Sequence, residues 1–398
     1  MSRMVYSYIR ASQANLISVN GGGFNYIVQA TNVALYAIVS NSWADVDYLK
    51  STDGGLTWSP PISVFAGTLT AVAVWYDRWT PGLTTDLIHI VYTESVGSDT
   101  LYRTINTASS DALSTQTTIF NGASTVVPGG MLAITRSRGG NVYCRTTIDA
   151  GTEGGFFRLP NANVPNGAWD TARTINEVLT TDDQVILMPG FGADNQDIIL
   201  LFWDASGASA ISMQLYDDSA NTWAETIILP ATDVLRTTSG PHYAACCHTT
   251  DTEILMVAWS HVNTNNAELS FWNVTEFDII QGTSVIASSA GDQGACAIGY
   301  DATTNEIYVF YCGNSDGSET WFTAVNIYYK ISADGGTTWG PENQLTPAVR
   351  SIPAIFCCPR TISGPPLVMF LLYDVTAQPS WVCVASYMQP QAQSMIVM

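Results

Sequence analysis

The chain reads as a succession of short apolar or alternating runs separated by clusters of Gly, Asn, Asp and Ser. Between residues 70 and 120 the runs are TAVAVWYD, DLIHIVYTES, DTLYRTINT and TQTTIF. Between 184 and 229 they are QVILMPGF, DIILLFWDA, AISMQLYDD and AETIIL. Runs of this length bounded by turn formers predict antiparallel strands. No segment keeps a period of 3.6, so helices should be scarce.

The pattern repeats. Lys50, Arg103, Arg158, Tyr216, Asn273, Lys330 and Tyr387 stand at corresponding places, 53 to 58 residues apart. Each interval holds four runs, except that the last falls short of a fourth strand. Four-stranded units repeated at such a period predict a ring of sheets, which hides most strand edges by closing on itself. The expected fold is therefore all-β: a seven-bladed β-propeller of four-stranded antiparallel blades over residues 21–398. Residues 1–20 are expected to supply the strand that closes the ring, through ANLISVN (14–20), with the C-terminal QSMIVM as the other candidate.

One stretch is written twice. STDGGLTW (51–58) and SADGGTTW (332–339) each follow one of the chain's two lysines, Lys50 and Lys330. Both fall between a third and a fourth strand, where the chain must reverse. The paired glycines permit positive φ, the aspartate can hold backbone amides two or three residues on, and the tryptophan returns an apolar surface to the blade. Ser51, Asp53, Gly55, Thr57 and Trp58, with Ser332, Asp334, Gly336, Thr338 and Trp339, resemble the Asp box (BNR repeat) of sialidase-like propellers. Weaker versions occur at YDDSANTW (216–223) and LPNANVPNGAW (159–169). In that family the box is a structural turn remote from the catalytic pocket, so the resemblance implies a fold and not a reaction.

The resemblance also implies what an enzyme of this kind would need: three arginines for a substrate carboxylate, a Tyr–Glu nucleophile pair and an acid/base aspartate. FRLP (157–160) is similar to the family's first arginine motif, but Arg158 stands at a blade's outer turn. By strand order, Arg78, Arg136, Arg138 and Arg360 fall on the box face. Only Arg236 and Arg350 belong to the opposite face, one short of a triad unless Arg10 joins them from the N-terminus. No catalytic residue is expected; were the chain an enzyme, Arg236 and Arg350 would be its arginines.

Loops of that opposite face combine acids with aromatics, as in SWADVD (42–47) and NSDGSETWF (314–322). Sugar-binding surfaces use such residues, since rings stack on sugar C–H faces and carboxylates accept from hydroxyls. The expected ligand-binding set is Trp43, Asp45, Glu153, Asp182, Asp292, Glu319 and Trp321. Solvated loops would show the same composition. Cys246, Cys247, Cys296, Cys357 and Cys358, with His242 and His248, occupy inner strands without Cys-x-x-Cys spacing. They read as small buried core residues rather than zinc ligands. His89 and His261 read as isolated structural histidines. No twelve-residue calcium loop and no nucleotide fingerprint is present, so neither metal nor cofactor is expected.

Composition narrows the partners. Hydrophobic residues make up 46% and charged residues 12%, with a formal net charge of −20. That balance disfavours phosphate-backbone binding and anionic membranes. The longest apolar run, PLVMFLLYDV (366–375), is about half a membrane span, and the N-terminus lacks a secretory signal's apolar core. The expectation is a non-catalytic binding or assembly module with a glycan or protein partner, no nucleic-acid partner and no membrane insertion. It would be made in the cytoplasm and carried in a virus or phage particle as a tail, attachment or structural part, as a homo- or hetero-oligomer of the larger assembly. The alternatives are an exo-acting glycoside hydrolase and a purely architectural packing protein with exposed apolar patches on the rim or box face.

Overall fold

The computed structural model describes residues 4–10, 26–40, 44–95, 99–122, 132–149, 153–170, 173–174, 184–190, 194–203, 211–224, 227–228, 243–248, 253–263, 266–275, 279–290, 295–312, 326–345, 355–362, 364–372 and 381–387. The described strands form seven sheets of four or five strands each. Their pairings are antiparallel, except where Arg360–Thr361 adds in parallel to the edge of the sixth sheet. Apart from strands, the described elements are two 3-10 turns, Asp77–Trp79 and Asn161–Asn163. No helix among the described residues is long and apolar enough to cross a membrane.

In the first sheet the strands run Ile27–Gln29, Leu35–Val39, Asp45–Ser51 and Ile62–Ala66, paired in chain order. Burial falls towards the outer edge. Every residue of Leu35–Val39 is buried, whereas three of the five in Ile62–Ala66 are exposed. An inner strand lies between two neighbouring sheets and is covered on both faces. That is why inner strands such as Gln184–Pro189 read as nearly continuous apolar runs and not as strict alternations.

The innermost strands of the second to seventh sheets are Leu69–Tyr76, Ala133–Arg136, Gln184–Pro189, Tyr243–Cys247, Cys296–Asp301 and Ile355–Cys357. Each of these lies beside the next. The first sheet joins both ends of the series: the Tyr26 hydroxyl donates to the Val72 carbonyl at 2.9 Å, and the Tyr26 ring meets Phe356 edge-on at 5.1 Å. The sheets therefore form a closed ring, a β-propeller. Crowding at its centre is direct, because a Cβ on Gly299 would lie 2.7 Å from the Cys357 sulfur.

The seventh sheet takes its outer strand from the N-terminus. Met4–Arg10 pairs antiparallel with Trp381–Tyr387. The pairing strand is thus MVYSYIR and not ANLISVN; the latter, like QSMIVM, lies outside the described residues. The pattern in MVYSYIR alternates as well as that in ANLISVN, and length alone does not choose between them.

All seven repeat positions fall within third strands. These are Asp45–Ser51, Thr100–Asn106, Glu153–Leu159, Ile211–Asp217, Asn266–Thr275, Ile327–Ser332 and Trp381–Tyr387. Turns that join first to second strands and third to fourth strands share one face of the ring, here called the turn face. The other connections share the opposite face.

Candidate functional site

The two duplicated turns make the same bonds. The Ser51 hydroxyl accepts from the Gly55 amide at 2.8 Å and donates to Asp53 at 2.8 Å. Asp53 then accepts from the Thr57 amide at 2.9 Å and from its hydroxyl at 2.6 Å. Ser332, Asp334, Gly336 and Thr338 repeat the same four distances. The aspartate reaches four residues on, further than the two or three expected from ordinary Asx turns, because two glycines at φ 72° and 89° in each copy fold the chain back over it. Hydrogen bonds from Thr57 and Thr338 lower both carboxyls to about 2. Both are already saturated by their own loops.

Tryptophans of the second duplicated turn and of its weaker counterparts pack onto the preceding sheet, and Trp223 also meets Tyr216 of its own sheet at 5.0 Å. Trp339 meets Phe271 at 5.5 Å, Trp223 meets Phe156 at 5.0 Å, and Trp169 meets Tyr102 at 5.2 Å. Each contact with the preceding sheet is T-shaped, the favoured edge-to-face arrangement. The turn is thus a staple between blades.

Ion pairs fasten successive sheets on the same face. Lys50 of the first sheet meets Asp111 of the second at 2.7 Å. Asp77 of the second meets Arg136 at the end of the third sheet's first strand at 2.6 Å. Arg158 of the third meets Asp218 of the fourth at 2.8 Å, while its Nε holds Asp170 at 2.6 Å. The FRLP arginine is therefore a fastener between blades.

At the junction of the second and third sheets the fastening is fully buried. His89 is not isolated: its Nε2 lies 2.7 Å from Asp77 and its Nδ1 2.7 Å from the Tyr102 hydroxyl. Asp77 and His89 have no exposed surface. An ionised carboxylate only accepts, so Nε2 carries the proton and Nδ1 accepts from Tyr102. The second Asp77 oxygen accepts from the Leu87 amide at 3.0 Å. Arg136 spends its other donors on Gly140, Thr85 and Asn161. Burial alone would raise the Asp77 carboxyl, but His89 and Arg136 outweigh it and hold the group well below the usual carboxylate range. Burial lowers the His89 imidazole despite the neighbouring carboxylate. This Asp–His–Tyr chain has the look of a proton relay, yet it is sealed from solvent. It joins blades.

Of the ligand-binding residues expected from sequence, two fall in described backbone. Asp45 begins the first sheet's third strand and is half-buried, and Glu153 begins the third sheet's third strand opposite Asp149. Both are at the opposite-face ends of strands in different blades, and the described residues assemble no site around them. Trp43, Asp182, Asp292, Glu319, Trp321, Arg236 and Arg350 lie outside the described residues, as does His242. Cys246, Cys247, Cys296, Cys357 and Cys358 are buried and unbridged. They are divided among separate core clusters, and burial pushes the thiols of Cys246, Cys296 and Cys357 well up. His248 turns to Glu253, at 3.1 Å.

Sequence reasoning missed one acidic group. Asp194, Asp197 and Asp217 bring carboxylate oxygens within 4.8 Å of one another on the fourth sheet's turn face. Burial, then the negative charge of Asp194, Asp217 and Asp218, push Asp197 up to about 6 against a hydrogen bond from the Asp218 amide. All-oxygen donors suit a hard cation. Asp194 and Asp217 also serve their own loops, accepting from Gln196 and Ala220 amides at 2.8 Å.

Two clefts on the turn face are lined by described residues. One, of about 500 Å3, lies between the second and third sheets and is walled by hydroxyls and amides, among them Thr85, Asn106, Ser114 and Asn166, with Leu113 and Pro165 supplying apolar surface. Its walls are braced. Asp86 accepts from Thr31, Tyr76 and Arg78 at 2.9, 2.9 and 3.1 Å, and Asn166 accepts from the Thr115 amide at 3.0 Å. The other, of about 680 Å3, lies where the first, sixth and seventh sheets meet. Neither was foreseen, because each is made of turns distant in sequence.

No family model and no curated relative matches the chain. Solved structures do resemble it. A PL25 ulvan lyase, described as a new family of polysaccharide lyase, superimposes with a TM-score of 0.56 at 12% identity, over 92% of this chain and 93% of the other. The polysaccharide lyase Uly1 gives 0.52 at 9% identity, over 98% and 100%. AofleA from Arthrobotrys oligospora, in a form with three of its arginines changed to alanine, gives 0.52 at 10% identity, over 86% and 90%. At such identities the likeness speaks to the fold alone.

Proposed function

We propose that this chain is a non-catalytic Asp-box propeller that recognises a glycan, serving as a binding or assembly module. The observation that carries the reading is the cleft between the second and third sheets. Its volume falls in the range of small-ligand sites, and its walls offer fixed hydroxyls and amides beside modest apolar surface. A polyhydroxylated ligand needs that mixture: acceptors and donors for its hydroxyls, and an apolar floor for its C–H faces. Ion pairs and turn bonds around the cleft keep the walls in place, so little ordering is left for binding to impose.

Two of the solved structures with this fold are named as polysaccharide lyases, which supports a carbohydrate ligand. The bonding of the duplicated turns supports Asp-box membership. A chain with 12% charged residues and two lysines fits a component of a larger particle, such as a virus or phage tail or attachment part. Trp43 and Trp321 remain the aromatic candidates for a second sugar contact on the opposite face.

A glycan-array screen of the purified chain, with fluorogenic sialoside hydrolysis alongside, tests the proposal. Binding without turnover, lost in Asn166→Ala, is expected. Turnover, or silence across the array, would contradict it.

A further inference from the structure

The larger cleft differs in kind. Its lining includes the carboxylates Asp53, Asp301 and Glu306 and no lysine or arginine. On its rim stands Val33, which is 61% exposed, and Leu56, in the same turn as the lining residue Gly54, is 42% exposed.

Val33 also has φ +59°, the one β-branched side chain with positive φ among the described residues. That region crowds a Cβ, and branching worsens the crowding. The turn itself does not need a valine. The same frame, with Ala30 N–H to Ala34 and Val33 N–H to Ala30, recurs in the third sheet as Ser137 N–H to Asn141 and Gly140 N–H to Ser137. There the strained place is taken by Gly140, at φ +94°, and the last residue of the sixth sheet's turn is Asn305, at φ +58°. Gly and Asn are the residues this conformation favours. The first sheet instead holds an apolar branched side chain in water, in a conformation that resists it, at the mouth of a carboxylate-lined cleft.

We propose that this cleft docks a partner protein through a segment that presents a lysine or arginine beside an aliphatic side chain. The cation faces Glu306, with the charges of the loop-bound Asp53 and the buried Asp301 beside it, and the aliphatic group covers Val33, next to the turn that carries Leu56. Charge selects the occupant. A chain of net charge −20 repels a second copy of itself, whereas a basic segment is drawn towards the cleft. A sugar would leave Val33 wet. The inference stands apart from the glycan reading, which rests on the other cleft.

The test is a displayed library of random heptapeptides panned on the full chain, with the enriched pool then measured against Val33→Gly and Glu306→Gln variants. The pool should be rich in Lys or Arg next to Leu, Ile or Val. It should bind each variant about tenfold more weakly and lose affinity several-fold on raising salt to about 0.3 M. Val33→Gly should melt no lower than the parent, because glycine relieves the turn. A pool without basic residues, undiminished binding to both variants, or a lower melting temperature for Val33→Gly would each overturn the proposal. So would a dimer of the parent that Val33→Gly abolishes, which would make a second copy the occupant.

Discussion

Asp53 and Asp77 are both turn-face aspartates with lowered pKa, and they are held in opposite ways. Asp53 is exposed and satisfied within its own turn, by Ser51 and Thr57. Asp77 is buried and satisfied across two sheets, by His89, Leu87 and Arg136, the last being 59 residues away. The first arrangement shapes a loop; the second joins two blades. Local satisfaction can be copied wherever the chain turns, as Asp334 shows. The buried long-range arrangement around Asp77 depends on one particular set of partners, and a single deletion leaves uncompensated charge inside the ring.

The contrast sets the order of expected effects. Asp77→Ala leaves Arg136 buried without its counter-ion and should cost about 3–5 kcal/mol of stability, measured by chemical denaturation. A cost below about 1 kcal/mol would mean that the buried pair does not hold the blades together.

Acid should act through the same residues. His89 has a lowered folded pKa, so its neutral form is favoured by folding. Its contribution is present above the ordinary histidine value of about 6.5 and is lost as pH falls from there through the folded pKa. Asp77 is lowered as well, so its contribution is present above about pH 4 and is lost as pH falls further. Melting temperature should therefore decline in two stages between neutral and strongly acid pH. A His89→Gln variant should lose the first stage only. Its persistence would move the cause elsewhere.

Within the duplicated turns the effects are smaller and depend on neighbours. A Cβ on Gly336 would lie 2.2 Å from the Phe271 ring, whereas on Gly335 it meets nothing within 4 Å. Both glycines have positive φ. Gly335→Ala should cost about 1 kcal/mol from backbone strain, and Gly336→Ala about 2–3 kcal/mol, since it also displaces the staple ring. Equal costs would show that the turn does not press on the preceding sheet.

The same division explains what could be read from residues alone. Sheets and turns follow from alternation, glycine pairs and the recurrence of third strands, all of which are local signals. The staple role of Trp339 was half legible: its turn was, but not that Phe271 of the preceding sheet receives it. His89 looked isolated because Asp77 and Tyr102 become its neighbours only when strands pair. Arg158 was legible as an outer-turn residue despite the likeness of FRLP to a substrate motif, but its partner in the next blade, Asp218, was not, being 60 residues on. The clefts were invisible for a related reason. Thr85 and Asn166 line one cleft although 81 residues separate them. The expected set of Trp43, Asp182, Asp292, Glu319 and Trp321 rests on loop composition, which does not fix positions.

The central claim is that the cleft of the second and third sheets binds sugar without chemistry. Calorimetric titration of the strongest array glycan into the parent, Asn166→Ala and the Trp43→Ala/Trp321→Ala double variant tests it most directly. The account predicts one site whose affinity falls at least about tenfold in Asn166→Ala, with the glycan recovered intact. Full affinity in Asn166→Ala with loss in the tryptophan double variant would place recognition on the opposite face and contradict it.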